Sequence, residues 1–383
     1  MDVQRAVLVG VDSGSPGFAE SMEELALLVR SAGLAPCLTV LCKRAHPDPA
    51  LYAGSGKIQE IRKALQEQAA DLVVFNHSLS PAQERNLSKA LAVPVVDRTR
   101  LILDIFGQRA RSHEGKLQVE LAQLEHAATR LVRGWTHLER QRGGKGFLGG
   151  MGETQLEVDR RLITNRVKIL KSKLHKLKKQ RSTQRRSREK AGIPSISLVG
   201  YTNAGKSTLF NRLTHADAYA ADQLFATLDT TSRRVYFDGA GAMIFSDTVG
   251  FIRELPHTLI EAFRTTLEET IRADFLLHVV DASSDTRDEQ IAEVDKVLEE
   301  IGAADIPRIL VWNKIDLLDA NVYVESAIER DEYGKISRVR VSAKTGIGMD
   351  LLRKALVEIA TLDVIPEYAE AVQNFPNNSV KQA

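Results

Sequence analysis

The run Gly200-Tyr201-Thr202-Asn203-Ala204-Gly205-Lys206-Ser207 fits the spacing GxxxxGK[ST]. Its residue types dictate a chemistry. Small residues let backbone N–H groups turn inward around phosphate oxygens. Lys206 has the reach for β- and γ-phosphates, and the Ser207 hydroxyl suits Mg²⁺. Thr208 opens an amphipathic run over 208–213 whose N-terminus would face the anion. An apolar run at 195–199 precedes the motif, so the order is strand, loop, helix.

Three further motifs follow in chain order. Asp247-Thr248-Val249-Gly250 comes after an apolar strand and reads DxxG. Asp247 would hold Mg²⁺ through water, and the Gly250 N–H would meet the γ-phosphate. Asn313-Lys314-Ile315-Asp316 reads NKxD. The Asp316 carboxylate can accept from guanine N1–H and the exocyclic amine. Adenine offers no such donor pair, so the expected nucleotides are GTP and GDP, not ATP. Ser342-Ala343-Lys344 ends the last strand and would cover the base. Together these resemble the guanine-nucleotide domain of translation-factor-related GTPases.

Between the first two motifs lies Leu224-Phe225-Ala226-Thr227-Leu228-Asp229-Thr230-Thr231. A switch threonine must contact Mg²⁺ and the γ-phosphate. Thr227 is preferred, because in GTPases resembling this one the Thr before an aliphatic residue has that role. The expected metal set is therefore Ser207, Thr227 and Asp247, and the catalytic set Lys206, Thr227 and Gly250. Phe251 stands where many GTPases carry the Gln that orients water. Either Phe251 simply packs under the switch, or another element completes a slow site. That element could be K⁺ ligated at Asn203, or a partner that reorders residues 250–257.

The elements that position these residues form two α/β patterns. Near the start, runs at 5–11, 37–41, 72–75 and 93–96 read as strands, with helices at 19–32, 58–69 and 81–91. This predicts a small parallel domain over 1–100. Gly54-Ser55-Gly56-Lys57 lacks full phosphate-loop spacing and reads as a tight turn into a helix. A second pattern, with strands at 195–199, 234–237, 243–246, 275–280, 308–312 and 339–341, predicts a mostly parallel sheet with helices on both faces over 195–362. Residues 363–383 read as a tail.

Between the two patterns, Leu117, Leu121, Leu124, Ala128 and Leu131 recur at coiled-coil spacing. So do Leu156, Arg160, Ile163, Val167, Leu170, Leu174 and Leu177. Residues 134–152, holding seven of the 25 glycines, separate the seams. An antiparallel helical hairpin over 101–190 is expected, about 40 Å long at ~1.5 Å per residue. The alternative is two helices lying flat on the α/β domain.

The charge is unevenly spread. Lys+Arg 52 against Asp+Glu 50 gives +2, yet residues 166–190 hold twelve basic side chains and one acid, Glu189. Lys168, Lys171, Lys173, Lys176, Lys178, Lys179, Arg181, Arg185, Arg186 and Arg188 would neutralise phosphates without reading sequence. Aromatic residues are nearly absent there, so folded RNA fits better than stacked single strands. A solvated coiled-coil face is the plainer alternative. No apolar run approaches ~18 residues, so no membrane span is expected. The start lacks the flanks of a signal peptide, and Cys37 and Cys42 form no disulfide framework, so a cytoplasmic protein is expected.

Longer strings are similar to the HflX family of ribosome-associated GTPases. They are Gly54-Ser55-Gly56-Lys57, Leu79-Ser80-Pro81-Ala82-Gln83-Glu84-Arg85-Asn86-Leu87, Asp97-Arg98-Thr99, Leu101-Ile102-Leu103-Asp104-Ile105-Phe106 and 114–124. Gly152-Glu153-Thr154-Gln155-Leu156-Glu157 with Asp159-Arg160-Arg161, and Phe225–Asp229 and Asp247–Phe251 in the GTPase region, continue the match. The resemblance implies a GTPase of the large ribosomal subunit, linked to splitting or rescue of ribosomes or to subunit assembly. It implies a hairpin whose glycine-rich tip points toward the peptidyl-transferase centre. Where the family usually has Arg-Gly-Pro-Gly-Glu, this chain has Gly149-Gly150-Met151-Gly152-Glu153. Arg140, Arg142 and Lys145 are the nearby substitutes for the missing Arg. The expectation is a monomer. Two rival readings stay open: an ATP-fuelled RNA remodeller, and a signalling switch with a protein target.

Overall fold

A computed structural model describes residues 3–14, 17–134, 155–189, 192–216, 223–256, 259–260, 263–318 and 327–361, without the side chains of 132–134, 155–156, 181–189 and 264–266. The chain divides into two compact units, Met1–Lys176 and Leu177–Ala383.

In the first unit, β1 (Arg5–Asp12), β2 (Ala35–Lys43), β3 (Leu72–Phe75) and β4 (Val95–Asp97) form a parallel sheet in the order β2-β1-β3-β4. Every residue of β3 is buried. Such a strand is covered on both faces and reads as a continuous apolar run. The helices are α1 (Phe18–Ser31), α2 (Ser55–Glu67), α3 (Pro81–Leu91) and α4 (Arg98–Arg109). α3 starts on a capping box. The Ser80 hydroxyl accepts from the Gln83 N–H, the Gln83 side chain accepts from the Ser80 N–H, and Pro81 opens the helix.

The carboxyl ends of β3 and β4 carry a buried polar knot. Arg98 donates to Asn76 Oδ1 at 2.9 Å and pairs with Glu24 at 3.2 Å. Asp97 caps α4 by accepting from the Arg100 N–H at 2.8 Å. It also pairs with Arg130 at 2.5 Å, and Arg130 pairs with Glu84 at 2.7 Å. Arg130 lies on α5 (His113–Gly134), so these bonds fasten α5 to the end of the sheet.

α6 (Gln155–Glu189) is the second long helix. Arg166 pairs with Glu120 at 2.6 Å and Lys171 with Glu125 at 2.8 Å, so α5 and α6 lie side by side. Of the predicted seam, Leu170 is fully buried and Ile163, Val167, Leu174 and Leu177 are half-buried, with exposed lysines between them; Arg160 is exposed instead, and the Leu156 side chain lies outside the described residues. Within the second unit, Lys178 pairs with Glu268. The expected tip beyond Gly134 and the expected tail lie outside the described residues.

The second unit has a sheet in the order β10-β11-β9-β8-β5-β7-β6. Its strands are β5 (Ser195–Val199), β6 (Thr231–Phe237), β7 (Gly241–Asp247), β8 (Phe275–Asp281), β9 (Arg308–Asn313), β10 (Ile328–Arg330) and β11 (Ile336–Arg340). Pairing is parallel except β6 with β7 and β10 with β11. Helices α7 (Lys206–Thr214) and α10 (Met349–Thr361) bury Leu209, Phe210, Leu352 and Leu356 against Leu198, Phe245, Val279 and Val311. Side chains alternate along a strand, so Ser197 points the other way. It meets Thr270 of α8 (Arg264–Ile271) at 3.2 Å. α9 (Arg287–Ile301) packs on β8. The edge strand β10 was not foreseen, since Ile-Glu-Arg is too short to show a period.

Candidate nucleotide site

The four motifs come together at the carboxyl ends of β5, β7, β9 and β11. That is where ligands bind in open α/β sheets. Gly205 shows why the loop needs glycine. Its φ is +93°, and a Cβ there would lie 2.2 Å from Asn313 Nδ2. Gly250 is crowded too: a Cβ would sit 2.8 Å from Thr202 Cα and 2.9 Å from Lys206 Nζ.

Lys206 opens α7 and is buried. Its Nζ donates to the carbonyls of Gly200 at 3.0 Å and Tyr201 at 2.7 Å. Burial, aided by Lys314, pulls its ammonium down to about 8, against the pull of Asp247. An anion entering the loop would reverse that shift.

Ser207, Thr227 and Asp247 converge. Ser207 Oγ donates to Asp247 Oδ2 at 2.7 Å, lies 2.7 Å from Thr227 Oγ1, and Thr227 Oγ1 is 3.1 Å from Asp247 Oδ2. Asp247 has no exposed surface, and its Oδ1 has no hydrogen-bond partner among the described residues. Burial pushes this carboxyl up, while the Ser207 hydroxyl and the Lys206 ammonium pull it back. Two hydroxyls and a carboxylate, one of whose oxygens is left without a partner, form a donor set that fits a hard divalent cation. Of the three candidate threonines, Thr227 is the one in this cluster. Thr231 opens β6, paired with the backbone of Asp247.

The loop cavity, about 60 Å³, is lined by Asn203, Gly205, Lys206, Thr208, Ala226 and Gly250, among others. Phe225 is buried with φ +55°, and Leu228 is buried beside the switch. Thr248 turns away and donates to the Leu198 carbonyl at 2.5 Å, which ties β7 to β5. Val249 is buried and Asp229 half-buried.

Phe251 is 1% exposed. It forms a parallel bridge with the phosphate loop: Thr202 N–H donates to Phe251 O at 2.7 Å, and Phe251 N–H to Gly200 O at 3.1 Å. The buried ring packs beneath the loop, and it orients no water on either reading of Phe251.

At the base end, Asn313 Nδ2 donates to Ala204 O at 2.9 Å, and Asn313 Oδ1 accepts from the Ala343 N–H at 2.9 Å. One side chain thus joins the phosphate loop to the base loop. Asp316 Oδ1 accepts from Ser342 Oγ at 2.6 Å. Lys314 pairs with Asp281 at 2.7 Å. Sequence reasoning missed Asp281, although an acid closing an apolar strand beside the site was a readable signal. It also missed the Tyr201 hydroxyl, which accepts from the Arg253 N–H at 2.8 Å; nothing in the spacing pointed to it.

Comparison with known proteins fits this geometry. Residues 19–107 match the family "GTP-binding GTPase N-terminal", 109–188 "GTP-binding GTPase Middle Region" and 195–314 "50S ribosome-binding GTPase". The chain is 55% identical over 355 residues to the GTPase HflX of Escherichia coli, covering 93% of this chain and 82% of that protein. It belongs to the HflX family. The HflX protein of Caldanaerobacter subterraneus is 50% identical over 355 residues, covering 93% of this chain and 80% of the relative. A crystal structure titled SsGBP and GDP complex aligns with a TM-score of 0.52 and 25% identity, over 94% of this chain and 99% of that one. As an HflX-family protein the chain binds and hydrolyses GTP. No helix among its described residues is long and apolar enough to cross a membrane.

Proposed function

We propose that this HflX-family GTPase is a cytoplasmic, monomeric factor of the large ribosomal subunit, acting in ribosome splitting or rescue or in subunit biogenesis. The observation that carries the reading is the exposed lysine face of α6, Lys168, Lys173, Lys176 and Lys179. It lies in a chain whose GTPase region matches a family described as ribosome-binding. The organisation proposed is an α/β subdomain over 1–100, an arm over 101–190, a GTPase domain over 195–362 and a tail over 363–383.

In the nucleotide site, Ser207 and Thr227 would ligate Mg²⁺ directly and Asp247 through water. The ion would supply charge neutralisation at the nucleotide phosphates. Lys206 exchanges its two carbonyl partners for phosphate oxygens, with backbone N–H groups of 202–208 around them. The Gly250 N–H meets the γ-phosphate, and residues 225–229 close over it. Asp316 reads guanine, and Ser342, Ala343 and Lys344 cover the base.

Phe251, being buried, orients no water. Intrinsic turnover is therefore slow, and a ribosomal partner acting on the switch, or K⁺ ligated at Asn203, completes the site. GTP turnover in K⁺ buffer, with and without purified large subunits and again in Na⁺, tests this. Strong stimulation by subunits is expected. Turnover unaffected by subunits in either buffer would overturn the ribosomal reading, and a K⁺ effect alone would assign the missing element to Asn203.

A further inference from the structure

The loop Ser342-Ala343-Lys344 is held on its outer side by one residue from the phosphate-binding helix. Arg212, in the last turn of α7, donates from Nε to Ala343 O at 3.0 Å and from Nη2 to Lys344 O at 2.8 Å. A planar guanidinium presents such a fork with little loss of freedom. The helix end carrying it is itself braced. Arg353 of α10 donates to Arg212 O at 3.3 Å and Leu213 O at 3.5 Å, carbonyls left open at a helix C-terminus.

The consequence follows from peptide geometry. In a trans peptide the C=O and the next N–H point in opposite directions. Holding the Lys344 oxygen outward turns the Thr345 N–H inward, where it donates to Ser342 Oγ at 3.1 Å. Ser342 Oγ in turn donates to Asp316 Oδ1 at 2.6 Å. On the inner side, the Ala343 N–H is fixed by Asn313. The Ala343–Lys344 segment is thus gripped from both sides, and Arg212 supplies the outer grip.

We propose that Arg212 is a positioning residue for guanine binding: it orients the base-covering loop and, through Thr345 and Ser342, the Asp316 carboxylate. This rests on the reading of Asp316 as the guanine-binding group. Among the described residues the Arg212 side chain bonds to Ala343 and Lys344, away from the phosphate loop. Its loss weakens GDP and GTP alike and leaves the chemical step alone, the signature of uniform binding.

The test is release of a fluorescent GDP by stopped flow, with KM and kcat for GTP, in Arg212→Ala and Arg212→Lys. Arg212 is exposed, and the thermal midpoints of both variants check folding. With two charge-assisted bonds at a wet surface lost, Arg212→Ala releases GDP about tenfold faster and raises KM by a similar factor, with kcat kept. Arg212→Lys, which keeps one donor, recovers roughly a third of the loss on a logarithmic scale or more. Unchanged release in Arg212→Ala, or a fall in kcat with KM unchanged, overturns the proposal. Asp316→Asn separates the two readings. If it lowers guanine affinity while Arg212→Ala does not, only the positioning role fails. If Asp316→Asn leaves guanine affinity intact, the base-site reading itself fails.

Discussion

In both units a strand leads through a glycine-containing turn to a lysine and a helix, yet the two turns are built differently. In the second unit, Lys206 is buried and its ammonium lies against two carbonyls of its own loop. In the first unit, the turn Gly54-Ser55-Gly56-Lys57 starts α2, and Lys57 is drawn sideways to Glu60 at 2.7 Å. Gly54 has φ +84°, and a Cβ there would meet the Arg44 side chain at 2.2 Å. The difference is spacing. Four residues separate Gly200 from Gly205, against one between Gly54 and Gly56, and they wrap the chain around a cavity and deliver the lysine into it. Without them the same residue types only begin a helix.

The largest effect expected separates the two lysines. Lys206→Ala should lower GDP affinity by about 100-fold or more, the loss of a charge-assisted contact in a buried site. Lys57→Ala should leave it within about twofold, since an exposed i,i+3 pair contributes little. Equilibrium binding of labelled GDP checks both. Equal losses would break the comparison. ATP hydrolysis surviving Lys206→Ala would sharpen it by giving the first unit a nucleotide of its own.

Asp316→Asn comes next. The substitution replaces one of two acceptor oxygens with a donor, so guanine loses one of its two bonds and meets a donor at its amine, while xanthine, with a carbonyl at that position, gains a bond. GTP affinity should fall by roughly 100-fold and XTP affinity should rise. Competition against labelled GDP measures it, and a variant still preferring GTP would remove Asp316 from the base site.

The third expectation concerns protons. The Lys206 ammonium is lowered to about 8 in the folded, nucleotide-free protein. Above that pH it is increasingly neutral, and a phosphate must restore its charge. GDP binding should therefore weaken as pH rises through 8 and take up a fraction of a proton. Calorimetry in two buffers of different ionisation heat reads the uptake. For stability the sign is opposite: the unfolded lysine keeps its proton to a higher pH, so this group makes the empty fold relatively more stable as pH rises from about 8 toward 10.5. Affinity constant from pH 7 to 9.5 would refute the link.

The smallest effect belongs to the first unit alone. Ser80→Ala removes one half of a capping box and should cost about 1 kcal/mol. Its thermal transition should shift while GDP affinity stays put. A change in GDP affinity would mean that the units are not separable in this way.

How far these features were legible depends on their range. β3 and α3 could be read to the residue, because a short apolar run between turn signals and a Ser-Pro cap are local. The seam of α6 was legible from spacing alone. Asp247, Ser207 and Thr227 were identified as types, but their convergence needs β5, β7 and the switch in register, which no window contains. The ion pairs of Arg166, Lys171 and Lys178 were also hidden, and they neutralise part of the face that composition alone makes wholly basic. Arg212 reads as an ordinary surface residue until the base loop, more than a hundred positions later, is brought beside it.

The bridge between Phe251 and the phosphate loop has an evolutionary consequence. Position 251 is where a faster clock would be sought by a single substitution to Gln. Here that side chain points into the core, so Phe251→Gln would strand an amide without partners, at about 1–3 kcal/mol. It would reach no water at the phosphate. The hydrolysis rate of this chain is thus insulated from its most obvious mutation, and selection for a different rate must act on whatever the switch meets.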